Sequence, residues 1–453
     1  MLSGATPESV GIPSRAVEKF LAQCLSSGMR GFMLWRRGKT VLTASPYPHE
    51  AEDKRHVYSV SKSFTGTAVG LAVEEGKVRL DDFAVSYFPQ LFPAGATGRL
   101  SRMTIRHLLT MTTGHAEDTL FRLMENRDAP ERAFFEAPIP YEPGARFVYD
   151  SGASYMLSAI LHAATGEDLL AYLRPRLFAP LGVTDVSWMR APGGLRGGGW
   201  GLYVSLADML KLGILYLQQG VYEGRRILPA AWVRAATARQ TDSAMEGSDG
   251  ADDWAQGYGY QFWRCRCGAY RADGMYRQFI TVVPERETVF AYTGYAPGAW
   301  ILDGLWELCG AMQDRELPED NAALERLARL ARNAVCPTEK NRASLPAPFQ
   351  TAGDIFELGG AVTARLTEDG ILCLRLPCGT DVRLTPGAPE WKVVRYPRGT
   401  DDGQPLLPAK GLSAFVSAPG ELTLRILDKN SPHSADIRVA SSGVVQTFSD
   451  RFA

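Results

Sequence analysis

Between Lys62 and Glu75 the chain carries Phe64, Ala68, Val69, Leu71, Ala72 and Val73, and the run ends near Gly76. A helix of that composition is apolar on most sides, so it has to be buried. Its head is polar: Ser59-Val60-Ser61-Lys62 puts a hydroxyl and an amine three residues apart where the apolar pattern begins. Residues at i and i+3 share a helix face. Taken alone, the pair fits two descriptions. Either Ser59 caps the helix and Lys62 is solvated, or the amine takes the serine's proton and turns it into a nucleophile. In the second case burial depresses the lysine pKa toward neutrality, and the helix N-terminus with the Ser59 N–H stabilises an oxyanion.

Around this helix the signals divide the chain. Ser14 is placed to cap a first helix, in which Val17, Phe20, Leu21, Cys24 and Leu25 follow helical spacing up to Gly28. Phe32–Trp35 and Thr40–Ala44 flank Arg36-Arg37-Gly38-Lys39 as a β-hairpin. From about 81 to 255 the pattern is mainly helical, clearest at Ile105–Met111, Tyr155–Ala164 and Leu206–Leu217. Strand character returns at Tyr258–Arg264, Ala269–Arg271, Gln278–Val283 and Val289–Thr293, and Ile301–Met312 reads as a helix packing back on that sheet. The expected architecture is split: a mixed α/β region, built from both ends of a unit spanning 1–312, encloses a helical insertion.

Residues 313–348 read as a linker that contains a helix near Asn321–Asn333. Beyond it, short alternating segments stand at roughly ten-residue spacing: Ile355–Leu358, Val362–Leu366, Ile371–Leu376, Ala414–Val416, Leu422–Leu427, Ile437–Val439 and Val444–Phe448. They predict a small all-β domain, barrel or sandwich, over 349–453.

Composition excludes several function classes. With 45% apolar and 22% charged residues, and a net charge of −1, the chain reads as globular, with no electrostatic case for nucleic acid or an anionic membrane. Seven cysteines, odd in number and scattered, read as reduced thiols; Cys265-Arg266-Cys267 has no second Cys/His pair to complete a metal site. Met1–Gly11 lacks the basic and apolar regions of a signal peptide, and no stretch reaches 18 apolar residues. A cytoplasmic location is the corresponding expectation.

Several ordered blocks resolve the Ser59–Lys62 ambiguity. Tyr58-Ser59-Val60-Ser61-Lys62-Ser63-Phe64-Thr65-Gly66 resembles the nucleophile motif of the serine β-lactamase and penicillin-recognising family, in its class C and esterase-like branch. Pro7–Gly11 is similar to that family's entry into its first helix, and Thr104–His115 to its I-x-H-L-L-x-M-x-S-G block. Pro143–Tyr149 resembles its approach to a second motif, and Gly198–Met209 its G-G-L-x-S-T-A-x-D-L block. The likeness runs over residues 5–312.

The resemblance implies a serine hydrolase of α+β, transpeptidase-like fold, an antiparallel sheet flanked by helices plus a helical region. It acts on an ester or amide of a small molecule through an acyl-enzyme on Ser59, with Lys62 as base and Tyr149 as proton relay. The second motif is Tyr149-Asp150-Ser151, with Ser151 where the family commonly has Asn. The third aligns with Tyr270–Gln278; the family's cation is replaced by Ala272, followed by Asp273 and Gly274. Met275 is then the second oxyanion N–H beside that of Ser59. Arg277 either projects into the mouth to bind a substrate carboxylate or is a solvated edge-strand arginine. No metal or organic cofactor is implied, and His107 and His115 read as structural. Two other readings follow from the altered motifs: a binding or regulatory protein of the same fold without turnover, and a β-lactamase, D-aminopeptidase or DD-peptidase-like enzyme. Nothing in the sequence fixes the oligomeric state.

Overall fold

The computed structural model describes residues 4–244, 247–249, 251–295 and 300–336. Beyond these it describes 355–357, 363–366, 371–375, 381–385, 391–394, 410–418, 421–428, 434–440 and 443–447. Its centre is a six-stranded antiparallel sheet. The strands are β1 (Met29–Arg36), β2 (Lys39–Ala44), β3 (Trp263–Arg264), β4 (Tyr270–Gly274), β5 (Gln278–Val283) and β6 (Thr288–Gly294), in the order β2-β1-β6-β5-β4-β3. The N-terminal hairpin joins the late strands through β1–β6 pairing, with Phe32 opposite Tyr292 and Leu34 opposite Phe290. Sequence-distant segments thus close one sheet around the helical region.

Both sheet faces are covered. On one lie α1 (Ser14–Ser26), α5 (Trp300–Ala311) and α6 (Asn321–Arg332), sharing a core that includes Phe20, Leu21, Phe32, Ile301, Leu305 and Leu327. On the other, α4 (Leu206–Leu217) packs on β5 and β6 and leads into the larger core with α2 (Ser61–Glu74) and α3 (Ser151–Thr165). In α2 every residue from Ser61 to Ala72 is buried. Its hydroxyls bond to the surrounding segments: Ser63 to the Gln261 carbonyl (2.6 Å), Thr65 to that of Gly198 (2.7 Å) and Thr67 to the Tyr216 hydroxyl (2.8 Å). Each buried polar group is thereby satisfied.

Three expectations need correction. Ser14 does not cap α1; it is the first helical residue. The cap role falls to Glu8, whose carboxylate accepts from the Ser14 backbone N–H (2.7 Å) and hydroxyl (2.8 Å). Of Tyr258–Arg264 only the last two residues join the sheet. Gln261 adopts a left-handed φ of 64°, and its amide donates to the Leu109 carbonyl at 3.0 Å, which bends the segment out of the ladder. Helix α6, inside the segment read as a linker, is docked: Ala323 and Leu327 are buried, and Arg326 pairs with Glu18 of α1 at 3.0 Å. Its apolar stripe needed a partner, and α1 supplies one.

In the C-terminal region the described strands form two antiparallel meanders. Four strands lie between Ile355 and Leu384, and five between Lys392 and Thr447. Leu358, Val362, Leu376 and Phe448 lie outside the described residues. No described helix is long and apolar enough to cross a membrane.

Candidate active site

Ser59 sits in a single 3-10 turn, Tyr58–Val60, that runs directly into α2. The turn is held by the Ser61 hydroxyl, which donates to the Tyr58 carbonyl (2.5 Å) and accepts from the Leu202 N–H (3.1 Å). One helical turn on, the Lys62 amine lies 3.0 Å from Ser59 Oγ, 3.1 Å from Ser151 Oγ and 2.8 Å from the Gly199 carbonyl. Three partners match the three directions that an amine nitrogen has beyond its bond to carbon. None of them is charged. Burial therefore dominates and pushes the Lys62 pKa down to about 8, against the opposing pull of Asp118, Asp150 and Asp273. When the amine is neutral, two N–H groups go to Ser151 and Gly199 and the lone pair faces Ser59.

The other side chains come from the N-terminus of α3. Asp150 is its cap, accepting from the Gly152 N–H at 2.8 Å and from Thr119 at 2.8 Å (hydroxyl) and 3.0 Å (N–H). With Asp150 pinned inward, its neighbours Tyr149 and Ser151 turn toward Ser59. Burial raises the Tyr149 phenol pKa, only partly offset by the nearby Ser59 hydroxyl, so the phenol keeps its proton. Its ring stacks on Trp263 (5.5 Å between centroids) and lies 4.8 Å from the Lys62 amine.

Strand β4 forms the opposite wall. A Cβ on Gly274 would stand 2.3 Å from the Val57 carbonyl, so only glycine lets this strand lie against the turn that carries Ser59. The close neighbour here is the backbone leading into Ser59. Met275 follows, 61% exposed at the rim. Ala272 is buried and opposite Ile280. Asp273 turns away to Arg271, 3.0 Å off. Arg277 is half-buried with its guanidinium over the Trp254 ring at 4.9 Å.

The histidines hold the frame. His107 Nδ1 accepts from the Thr104 N–H at 3.1 Å, and His115 Nδ1 lies 3.4 Å from Asp150 Oδ2. Among the described residues no cluster of three or more His, Cys, Asp or Glu is arranged to hold a metal, and Cys265 instead meets Arg271 at 3.0 Å. Sequence reasoning missed two contributors. Asp118 accepts the Ser151 N–H at 2.9 Å and is the first of the charges opposing the drop in the Lys62 pKa. Gly199 supplies the Lys62 acceptor; a Cβ there would stand 2.7 Å from the Ser151 carbonyl, and the run of three glycines ahead of Trp200 was its visible signal.

Comparison with known proteins gives this arrangement its context. Residues 14–295, well over half of the chain, match the Beta-lactamase family. The protein belongs to that family. Among its relatives, esterase EstB of Burkholderia gladioli is 29% identical over 178 residues, covering 36% of this chain and 45% of the esterase. The 6-aminohexanoate-dimer hydrolase of Paenarthrobacter ureafaciens is 24% identical over 290 residues, covering 59% of this chain and 73% of the hydrolase. The chain spans about half the length of several curated relatives it matches, between 42% and 56%. The octameric penicillin-binding protein homologue of Pyrococcus abyssi shares the fold at a TM-score of 0.52 and 16% identity, covering 96% of this chain and 97% of its own.

Proposed function

We propose that the protein is a serine hydrolase that cleaves an uncharged ester or amide of a small molecule through an acyl-enzyme on Ser59. The observation that carries this reading is the Lys62 amine, buried among neutral partners and 3.0 Å from the Ser59 hydroxyl. A base poised near neutral pH beside a hydroxyl is what acylation needs.

In the proposed sequence Lys62 takes the Ser59 proton as Oγ attacks the carbonyl carbon. Tyr149, still protonated, gives its proton to the leaving group and recovers one from the Lys62 ammonium. Water then enters, gives up a proton by the reverse relay, and releases the acid. The N–H groups of Ser59 and Met275 are proposed to hold the oxyanion; one such donor contributes about 3–4 kcal/mol. The close approach of Gly274 to Val57 supports this, because it brings the β4 backbone to the nucleophile turn.

The third wall supports uncharged substrates. Ala272 offers no cation, Arg271 is committed to Asp273, and Arg277 is stacked on Trp254. The proposal favours an esterase or amidase over an enzyme selective for carboxylate-bearing β-lactams or peptides. The test is labelling with a fluorophosphonate, mapped by mass spectrometry, alongside hydrolysis of short p-nitrophenyl esters. The expected result is a single adduct on Ser59 and turnover that Ser59→Ala abolishes. The absence of both adduct and turnover would overturn the reading.

A further inference from the structure

Five rings form a continuous row past the nucleophile. Tyr203 stacks on His56 (5.0 Å between centroids, planes 23° apart), and His56 meets Tyr58 at 4.0 Å. Tyr58 meets Tyr276 edge-on at 5.2 Å, and Tyr276 stacks on Tyr295 at 5.0 Å and 23°. Tyr58 is the residue before Ser59, and Tyr276 follows Met275 at the end of β4. The row therefore links the turn that carries Ser59 to the end of β4.

These rings are unlike the core aromatics. Tyr258, Tyr260 and Tyr292 are 1–2% exposed, whereas all five rings of the row are half-buried and keep surface toward solvent. The backbone beneath them is strained. Tyr58 (φ 49°), Tyr276 (φ 63°) and Arg277 (φ 70°) all occupy the left-handed region, which bulky residues rarely adopt. Such strain persists where surrounding structure imposes it, and it concentrates at ligand clamps. Here it fixes one ring within the turn that carries Ser59 and the other just after β4. Four of the five rings are phenols, and the fifth is held in place by the Gly201 N–H, which donates to His56 Nε2 at 3.2 Å.

We propose that this row is a stacking surface for an uncharged aryl group carried by the scissile ester or amide. Aromatic pairs prefer offset or edge-to-face contact at the spacings already seen within the row, so an arene extends it with the geometry it has. The inference rests on the hydrolase reading of Ser59, and it adds a substrate class to it.

The experiment uses two matched pairs: benzyl against cyclohexylmethyl acetate, and methyl phenylacetate against methyl cyclohexylacetate. Within each pair the reacting bond is closely alike and only the ring differs. The expected result is a preference in kcat/KM of about three- to tenfold for the aryl member of at least one pair, the size that one aromatic contact supports. In Tyr276→Asn, a residue that tolerates the left-handed backbone, the ratio collapses toward one. Equal rates within both pairs overturn the stacking surface while leaving the hydrolase intact. Binding is read separately by saturation-transfer NMR on Ser59→Ala. Transfer to the arene protons that Tyr276→Asn abolishes supports the surface even if no ester is cleaved, a result that would count only against the hydrolase. No transfer to arene protons overturns the surface.

Discussion

Two buried cations, one on either side of the β4 wall, meet opposite fates. Lys62 and Arg271 are 2% and 0% exposed. Lys62 is given only neutral partners: two hydroxyls and a carbonyl. Arg271 is given a carboxylate, Asp273 at 3.0 Å, together with the Asp253 carbonyl, the Cys265 sulfur and the face of Trp254. Burial opposes charge at both sites. At Lys62 it wins, and the pKa falls to about 8. At Arg271 burial is outweighed by Cys265 and Asp273, and the pKa is held above its ordinary value. Burial pushes the Cys265 thiol up to about 11, so it is uncharged at neutral pH and Asp273 is the ionised partner. Burial also pushes the Asp273 carboxyl up, yet we take the pair as ionised, because a guanidinium does not lose its proton near neutrality. The proposed base and the strut differ in whether a counter-charge was buried with the cation.

The comparison is broken most sharply by exchanging the chemistry of the first cation. Lys62→Arg keeps the positive charge but removes any possibility of a neutral base. The expected loss in kcat/KM for an ester is about 10²–10⁴-fold with the fold retained by circular dichroism. Retention of more than a tenth of the activity would remove Lys62 from the base role. The second cation answers in a different observable. Arg271→Leu leaves Asp273 buried without its partner and is expected to cost about 3–5 kcal/mol in urea unfolding, since a buried charge is stranded. The double replacement Arg271→Leu with Asp273→Leu should recover much of that loss. Large activity loss with unchanged stability in Arg271→Leu would mean that it is no strut.

The pH profile sharpens the same contrast more gently. Below about pH 8 the Lys62 amine is protonated and cannot accept from Ser59, so kcat/KM should rise tenfold per unit and level off above about 8. A rate flat from pH 5 to 9 contradicts the base role. Stability moves the same way. Between about 8 and the ordinary lysine value of 10.5, the unfolded chain holds a proton that the folded chain has released. This group's contribution to stability therefore rises with pH across that window.

How much of this was legible in the sequence follows from how local each feature is. The burial of α2 and the facing of Ser59 and Lys62 are properties of one helix, and spacing alone carries them. The closing of the sheet by β1 and β6 was readable as strand patterns at both ends of one unit. What spacing cannot carry is partner choice over long separations. That Lys62 would rest on Gly199, that Asp118 would take the Ser151 N–H, and that Arg271 would be matched by Asp273 all depend on loops meeting in three dimensions. The docking of α6 was hidden for the same reason. Its amphipathic stripe was in the sequence, but α1 lies some 300 residues earlier. Glu8 took the cap role from Ser14 because a carboxylate accepts two hydrogen bonds at once, which Ser14 cannot do for its own N–H and hydroxyl.

The smallest expected effect tests the neutrality of the Lys62 surroundings directly. Ser151→Ala removes one of the three contacts to the amine and leaves Ser59 and the Gly199 carbonyl. A net hydrogen bond is worth about 1 kcal/mol, so kcat/KM at the plateau should fall about fivefold. The pH midpoint should fall as well. A hydroxyl oxygen accepts from the ammonium form, and losing an acceptor penalises the charged state further. A midpoint that moves below about 8 as the plateau drops is therefore the signature of a base held by neutral acceptors. An upward shift would mean that Ser151 had been favouring the neutral amine, and that some other group sets the charge of Lys62.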